Sequence, residues 1–204
     1  MSKLLITLCL LLSCAILLVN AQTYSNCKDF GNSYKAEWTV ANGTLTARFT
    51  IPNSSGWAAV GFKNSGSGMS GSTILIGSKS TISGEYYASA NTAPTQTASN
   101  FTSASSSLSG STTTLTLVRP LTRPSSSPAT YYTFSSGTSM DILFAAHNSN
   151  SYPSIHASTY RTTLNLFASS TCGTTSAATA TTTIGNGVGL MVVVVLALVG
   201  LLVC

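Results

Sequence analysis

The sequence predicts an all-β fold, a single β-sandwich domain. Three observations carry that expectation. Leu45, Ala47, Phe49 and Ile51 alternate with Thr44, Thr46, Arg48 and Thr50, the period-two pattern of a half-buried strand. Short apolar runs recur between clusters of Gly, Pro, Asn and Ser, as strands separated by turns do. Outside the two apolar ends, no stretch of helical length carries a 3.6-residue apolar stripe.

Taken in order, strands are expected at Tyr34–Val40, 44–51, Trp57–Phe62, Thr73–Gly77, Glu85–Ala88, Thr113–Val118, Asp141–Ala146 and Thr162–Phe167. Many short strands of this kind bury one face each by packing as two sheets. The Ser/Thr-rich run Ala88–Thr114 is expected to be a long exposed connection. There is no internal repeat.

The two ends read as processing signals. Met1-Ser2-Lys3, an apolar run Leu4–Val19 and the small-residue site Val19-Asn20-Ala21 make a secretory signal peptide over residues 1–21. At the other end, residues 188–204 are apolar and no Lys or Arg follows. A spacer, Thr179–Gly187, precedes them, and Ser176-Ala177-Ala178 precedes the spacer. Small residues, spacer and apolar tail are the three parts of a GPI-attachment signal. Ser176 is the expected lipidation site, within a Ser/Thr/Ala-rich linker at 171–187. The domain itself is expected at 22–170, displayed at the outer face of the plasma membrane. The competing readings are an uncleaved anchor at the start and a short tail anchor at the end.

Composition narrows the partners. Charged residues are 6% of the chain, against about 25% in ordinary globular proteins. The net charge of +5 is scattered with no basic run, which excludes a nucleic-acid footprint. Cys9, Cys14 and Cys204 leave with the processed ends, so Cys27 and Cys172 are expected to pair in an oxidising compartment. Asn42, Asn53 and Asn100 each open an N-x-S/T sequon, the acceptor for an N-glycan.

Reactive residues are few. Asp29, Glu37, Glu85 and Asp141 are dispersed, unlike the paired carboxylates of a glycosidase. No G-x-S-x-G elbow is present. Catalysis by these residues is therefore not expected. What remains is ligation. Met69 lies in the Gly/Ser loop Asn64–Gly71, His147 ends an apolar strand, and His156 follows Pro153-Ser154-Ile155.

Gly56-Trp57-Ala58-Ala59-Val60-Gly61-Phe62, then Gly68-Met69-Ser70-Gly71-Ser72 and Ile74-Leu75-Ile76-Gly77, resemble the first half of a DOMON domain. Leu115–Leu121, Asp141–Ala146, Ile155-His156 and Leu164-Asn165-Leu166 resemble the second half, in family order. The resemblance covers most of Tyr24–Phe167. It implies an immunoglobulin-like β-sandwich and, in the haem-binding branch that includes the cytochrome domain of cellobiose dehydrogenase, a b-type haem held by a methionine and a late histidine. The implied ligands are Met69 and His156. His147, where many relatives carry glycine, is the second candidate. Signal peptide, one domain and GPI signal together resemble the plant auxin-induced GPI-anchored cytochromes.

Under this reading Trp57, Phe62, Ile74, Leu75, Ile76, Leu143 and Phe144 line the haem faces, and Lys63, Lys79 or Arg161 meets its propionates. Two protein ligands leave no coordination position for substrate, which suits single-electron transfer. The redox partner would be a small reductant or a membrane cytochrome. No C-x-x-C-H motif is present, which excludes covalent attachment. Two other readings stand beside it. One is a non-haem binding module that stacks sugars on Tyr86, Tyr87, Tyr131 and Tyr132. The other is a copper site built from His147, His156 and Met69.

Overall fold

The computed structural model describes residues 22–123, 131–149, 152 and 155–172. The expected signal peptide, the attachment site Ser176 and the apolar tail lie outside the described residues. Among those described, eleven strands form and no helix does: β1 (Asn26–Gly31), β2 (Tyr34–Ala41), β3 (Thr44–Ile51), β4 (Trp57–Lys63), β5 (Ser72–Ser78), β6 (Thr81–Ala88), β7 (Thr95–Thr97), β8 (Ser103–Ser109), β9 (Thr112–Pro120), β10 (Met140–His147) and β11 (Ser158–Leu164).

Every pairing is antiparallel. A five-stranded sheet runs β1-β2-β3-β9-β8 and a six-stranded sheet runs β11-β10-β4-β5-β6-β7. The expected β-sandwich is what forms. The tight β2–β3 connection uses Asn42 and Gly43, both at positive φ (50° and 71°), the conformation that lets a two-residue hairpin follow strand twist.

The two sheets differ in how they use their faces. In β3 and β9, burial alternates strictly, so one face meets the core and the other meets water. In β4 all seven residues are buried. Its inward side chains Ala58, Val60 and Phe62 join the main core with Phe49, Leu115, Ile142 and Phe144. Its outward ones, Trp57 and Ala59, form a second apolar cluster with Ile74, Ile76, Tyr86 and Ala88, against which Met69, Ala145 and Tyr152 pack. The six-stranded sheet is therefore apolar on both faces, and its outer face carries the site described below.

Three expectations are corrected. The Ala88–Thr114 run is not one exposed connection, because it contains β7 and β8. β8 is a serine-rich edge strand whose Ser106 is buried and donates to the Lys79 carbonyl (3.0 Å). It is held by its main-chain ladder to β9 rather than by apolar burial. β1 was not anticipated. It is secured by the Cys27–Cys172 disulfide (Cα–Cα 5.0 Å) and by Tyr160 Oη, which donates to the Phe30 carbonyl (2.7 Å). The last strand is Ser158–Leu164 rather than Thr162–Phe167. Leu166 is buried beyond the strand, where its carbonyl accepts the Trp38 indole N–H (2.8 Å) instead of a ladder bond.

One buried ion pair joins the two sheets. Arg119 of β9 reaches Glu85 of β6 (Nη2–Oε1 3.5 Å), and both side chains are 3% exposed. The contact at Oε1 is electrostatic and not a hydrogen bond; Oε2 accepts the Asn100 N–H at 2.8 Å. The guanidinium also donates to Tyr131 Oη (3.1 Å) and lies 4.0 Å from that ring's centroid. Removing one partner strands the other charge in the interior. Arg119→Ala is expected to cost about 3–5 kcal/mol in urea unfolding, with much of the loss recovered in Glu85→Gln/Arg119→Met.

Candidate functional site

The outer face of the six-stranded sheet is hollow because its middle carries small side chains. Ala59 lies opposite Ile76 and Gly61 opposite Ile74 on β5. On the other side Ala59 faces Ala145 and Gly61 faces Leu143 of β10. A glycine and two alanines form a floor, and larger residues rise around it. The resulting cavity has a volume of about 730 Å³. Trp57, Ile74, Ile76, Leu143 and Tyr152 supply apolar walls, and Asn91–Pro94, Thr159 and Arg161 lie along its rim.

Both Met69 and His156 line this cavity. Met69 arrives on the loop that leaves β4 at Lys63. His156 precedes β11, whose first residue Ser158 pairs with Ala146, itself opposite Ala58 near the other end of β4. The thioether and the imidazole therefore enter from opposite ends of the central strand. Met69 is half-buried and His156 exposed.

The DOMON domain family matches residues 31–147. This chain belongs to the DOMON family. The match spans β2 to β10 and the Met69 loop, and it stops before His156. Among solved structures, the DOMON chain is similar to the cytochrome b domain of pyranose dehydrogenase from Coprinopsis cinerea, at 17% identity over 66% of this chain and 76% of that one, with a TM-score of 0.46. It is also similar to the cytochrome domain of Myriococcum thermophilum cellobiose dehydrogenase, at 13% identity over 70% and 82% of the two chains, TM-score 0.46. No curated protein matches the chain.

The other residues singled out in the sequence divide by face. Trp57 lines the DOMON cavity. Phe62 does not: it points into the sandwich core, with its ring 5.7 Å from Phe49 and 5.3 Å from Phe134. Phe144 borders the cavity, but its ring packs inward against Tyr34 (5.2 Å) and Phe30 (5.8 Å). Leu75 also belongs to the inner core, whereas Ile74, Ile76 and Leu143 line the outer cavity.

His147 is not among the lining residues. Its Nδ1 accepts the Ser149 N–H (2.7 Å) and its ring stacks on Trp57 at 6.3 Å. The three-residue copper set is thus not gathered at the cavity. Among the described residues, no cluster of three His, Cys, Asp or Glu side chains forms. Of the three cations considered, Arg161 lines the cavity and is paired with Asp141. Lys79 sits at the β5–β6 turn away from it, and Lys63 is committed to the Met69 loop. The four tyrosines do not make one sugar platform, because Tyr86 and Tyr131 are buried.

Two cavity residues went unnoticed in the sequence. Asn91 accepts main-chain N–H groups of the Met69 loop. Tyr152 packs edge-on to Trp57 (5.5 Å) and Tyr86 (5.3 Å), and its hydroxyl is buried without a hydrogen-bond partner among the described residues. Burial, and secondarily the neighbouring Tyr86, push the Tyr152 phenol up to about 12. It therefore remains a neutral wall of the cavity at physiological pH. No residue pattern flags either one.

Proposed function

We propose that this DOMON protein is a cell-surface b-type cytochrome carrying single electrons, with haem b as its cofactor and Met69 and His156 as the residues that would hold its iron. One observation carries the reading: a thioether and an imidazole line the same apolar cavity, entering from opposite ends of β4. The residues fit the group. The volume of about 730 Å³ lies within the roughly 300–1,000 Å³ typical of cofactor sites. Met and His are a ligand pair that cytochromes use.

When bound, haem b supplies reversible one-electron exchange at iron. Trp57, Ile74, Ile76 and Leu143, which line the cavity, would exclude water from the bound group and lower the local dielectric. Met69 and His156, which line the cavity, would ligate the iron from the protein, and the chain would then act as a carrier rather than bind a substrate at the metal. Arg161 lines the cavity with its side chain 39% exposed and is the cation that would meet a propionate. Met69→Ala is expected to convert the spectrum from six- to five-coordinate and to lower the reduction potential, since a thioether favours ferrous iron. An unchanged spectrum and potential in that variant would remove Met69 as a ligand.

The placement at the plasma membrane, through a GPI anchor at Ser176, rests on the order of small residues, spacer and apolar tail. Glycans at Asn42, Asn53 and Asn100 belong to the same secretory reading. Phosphatidylinositol-specific phospholipase C should release the protein from intact cells. Retention of the 188–204 peptide in membrane-bound protein, read by mass spectrometry, would contradict the anchor.

A further inference from the structure

We infer that Lys63 and Asn91 form a clamp that fixes the main chain around Met69, so that both are positioning residues for the thioether; this rests on the haem reading above. The loop Asn64–Gly71 is built of Ser, Gly and Asn apart from Met69. Such a composition gives a chain many conformations to lose on ordering. A weak thioether ligand on an unrestrained loop would bear that entropy each time it bound iron.

The structure removes the freedom in advance. Lys63, the last residue of β4 and 4% exposed, donates from Nζ to the carbonyls of Ser67 (3.2 Å), Gly68 (3.2 Å) and Ser70 (2.8 Å). Those three bonds use all the protons of an ammonium group. Among the described residues, no carboxylate lies within ion-pair distance of Lys63. Its partners are the loop's own carbonyl dipoles.

From the other side, Asn91 Oδ1 accepts the N–H of Met69 (2.9 Å) and of Ser70 (3.2 Å). The Met69 carbonyl accepts the Ser72 N–H (3.1 Å) and the Ser72 hydroxyl. From the Gly68 carbonyl to the Ser70 carbonyl, every main-chain polar group has a partner. The Gly68–Met69 peptide is gripped at both its oxygen and its nitrogen. Gly68 is what allows this approach: its φ is +61°, and a Cβ there would lie 2.3 Å from Asn91 Oδ1.

Partners behind a ligand orient it, and their loss typically lowers affinity 10–100-fold. Asn91 is exposed, so its replacement tests the clamp without threatening the fold. In the full chain without haem, Asn91→Ala is expected to speed amide exchange at Met69 and Ser70 by about tenfold, the loss of roughly one net hydrogen bond. Exchange in β3 should not change. Asn91→Asp keeps the accepting oxygen and should keep the protection, and Lys63→Met should lose it as Asn91→Ala does.

With haem supplied, Asn91→Ala should weaken retention about 10–100-fold and raise the five-coordinate fraction, while Asn91→Asp restores both. Unchanged exchange in Asn91→Ala, or a loop already unprotected in the unaltered protein, overturns the clamp even if haem binds. Protection that depends on Asn91 in a protein that takes up no haem overturns the ligand-positioning role and the cytochrome reading, leaving a loop buttress.

Discussion

His156→Ala is expected to abolish haem retention, whereas His147→Ala leaves the absorption spectrum largely unchanged. The two histidines differ in what surrounds them. His156 lines the cavity and is exposed, so its imidazole is free to turn toward a ligand. His147 is fixed in β10, with Nδ1 occupied by the Ser149 N–H and its ring stacked on Trp57. Without His156 the remaining protein ligand is a thioether on a polar loop, and the apolar walls alone have to retain the group. Haem content after gel filtration reads the outcome directly. Retention in His156→Ala with loss in His147→Ala would move the ligand to β10 and require the stack on Trp57 to open.

The second large effect is on stability. The Cys27–Cys172 disulfide closes a sequence separation of 145 residues. On chain-entropy grounds a crosslink over so long a loop stabilises by ~4–5 kcal/mol. It also ties β1 to the end of the domain, where the Cys27 N–H donates to the Ser170 carbonyl (2.8 Å) and Ser170 Oγ donates to the Cys27 carbonyl (2.8 Å). Cys27→Ser/Cys172→Ser is expected to lower unfolding stability by about that amount, measured by denaturant titration. A loss of less than about 1 kcal/mol would mean that the reduced chain keeps its ends together without the crosslink.

How far the sequence reveals this fold depends on what holds each strand. β3 and β9 are legible because one face is apolar and the other polar at every step. β8 is illegible because an edge strand that buries a serine and leaves most of its residues to water carries no hydrophobic pattern. β1 is equally silent, since a disulfide and main-chain bonds secure a segment containing a register shift between Asp29 and Gly31.

The site divides along the same line. Met69 is recognisable as an apolar side chain out of place in a Gly/Ser loop, whereas His156 is singled out by the family resemblance. Placing Phe62 with Trp57 in one lining conflicts with period two, which puts positions 57 and 62 of a strand on opposite faces. In β4 and β5 both faces are apolar, so no polar residue in the pattern exposes the conflict. Trp57 and Phe62 fall on opposite sides. Asn91 is beyond sequence reading because its contribution is to main-chain N–H groups 22 and 21 residues away, and those have no residue signature.

The central claim is tested most directly by the visible absorption spectrum of the purified full-length protein, oxidised and then reduced, after expression with haem supplied. The account predicts a Soret band corresponding to one haem per chain, with the six-coordinate low-spin pattern in both states. A protein that shows no Soret band even after incubation with excess haem would contradict it and leave a DOMON binding module without haem.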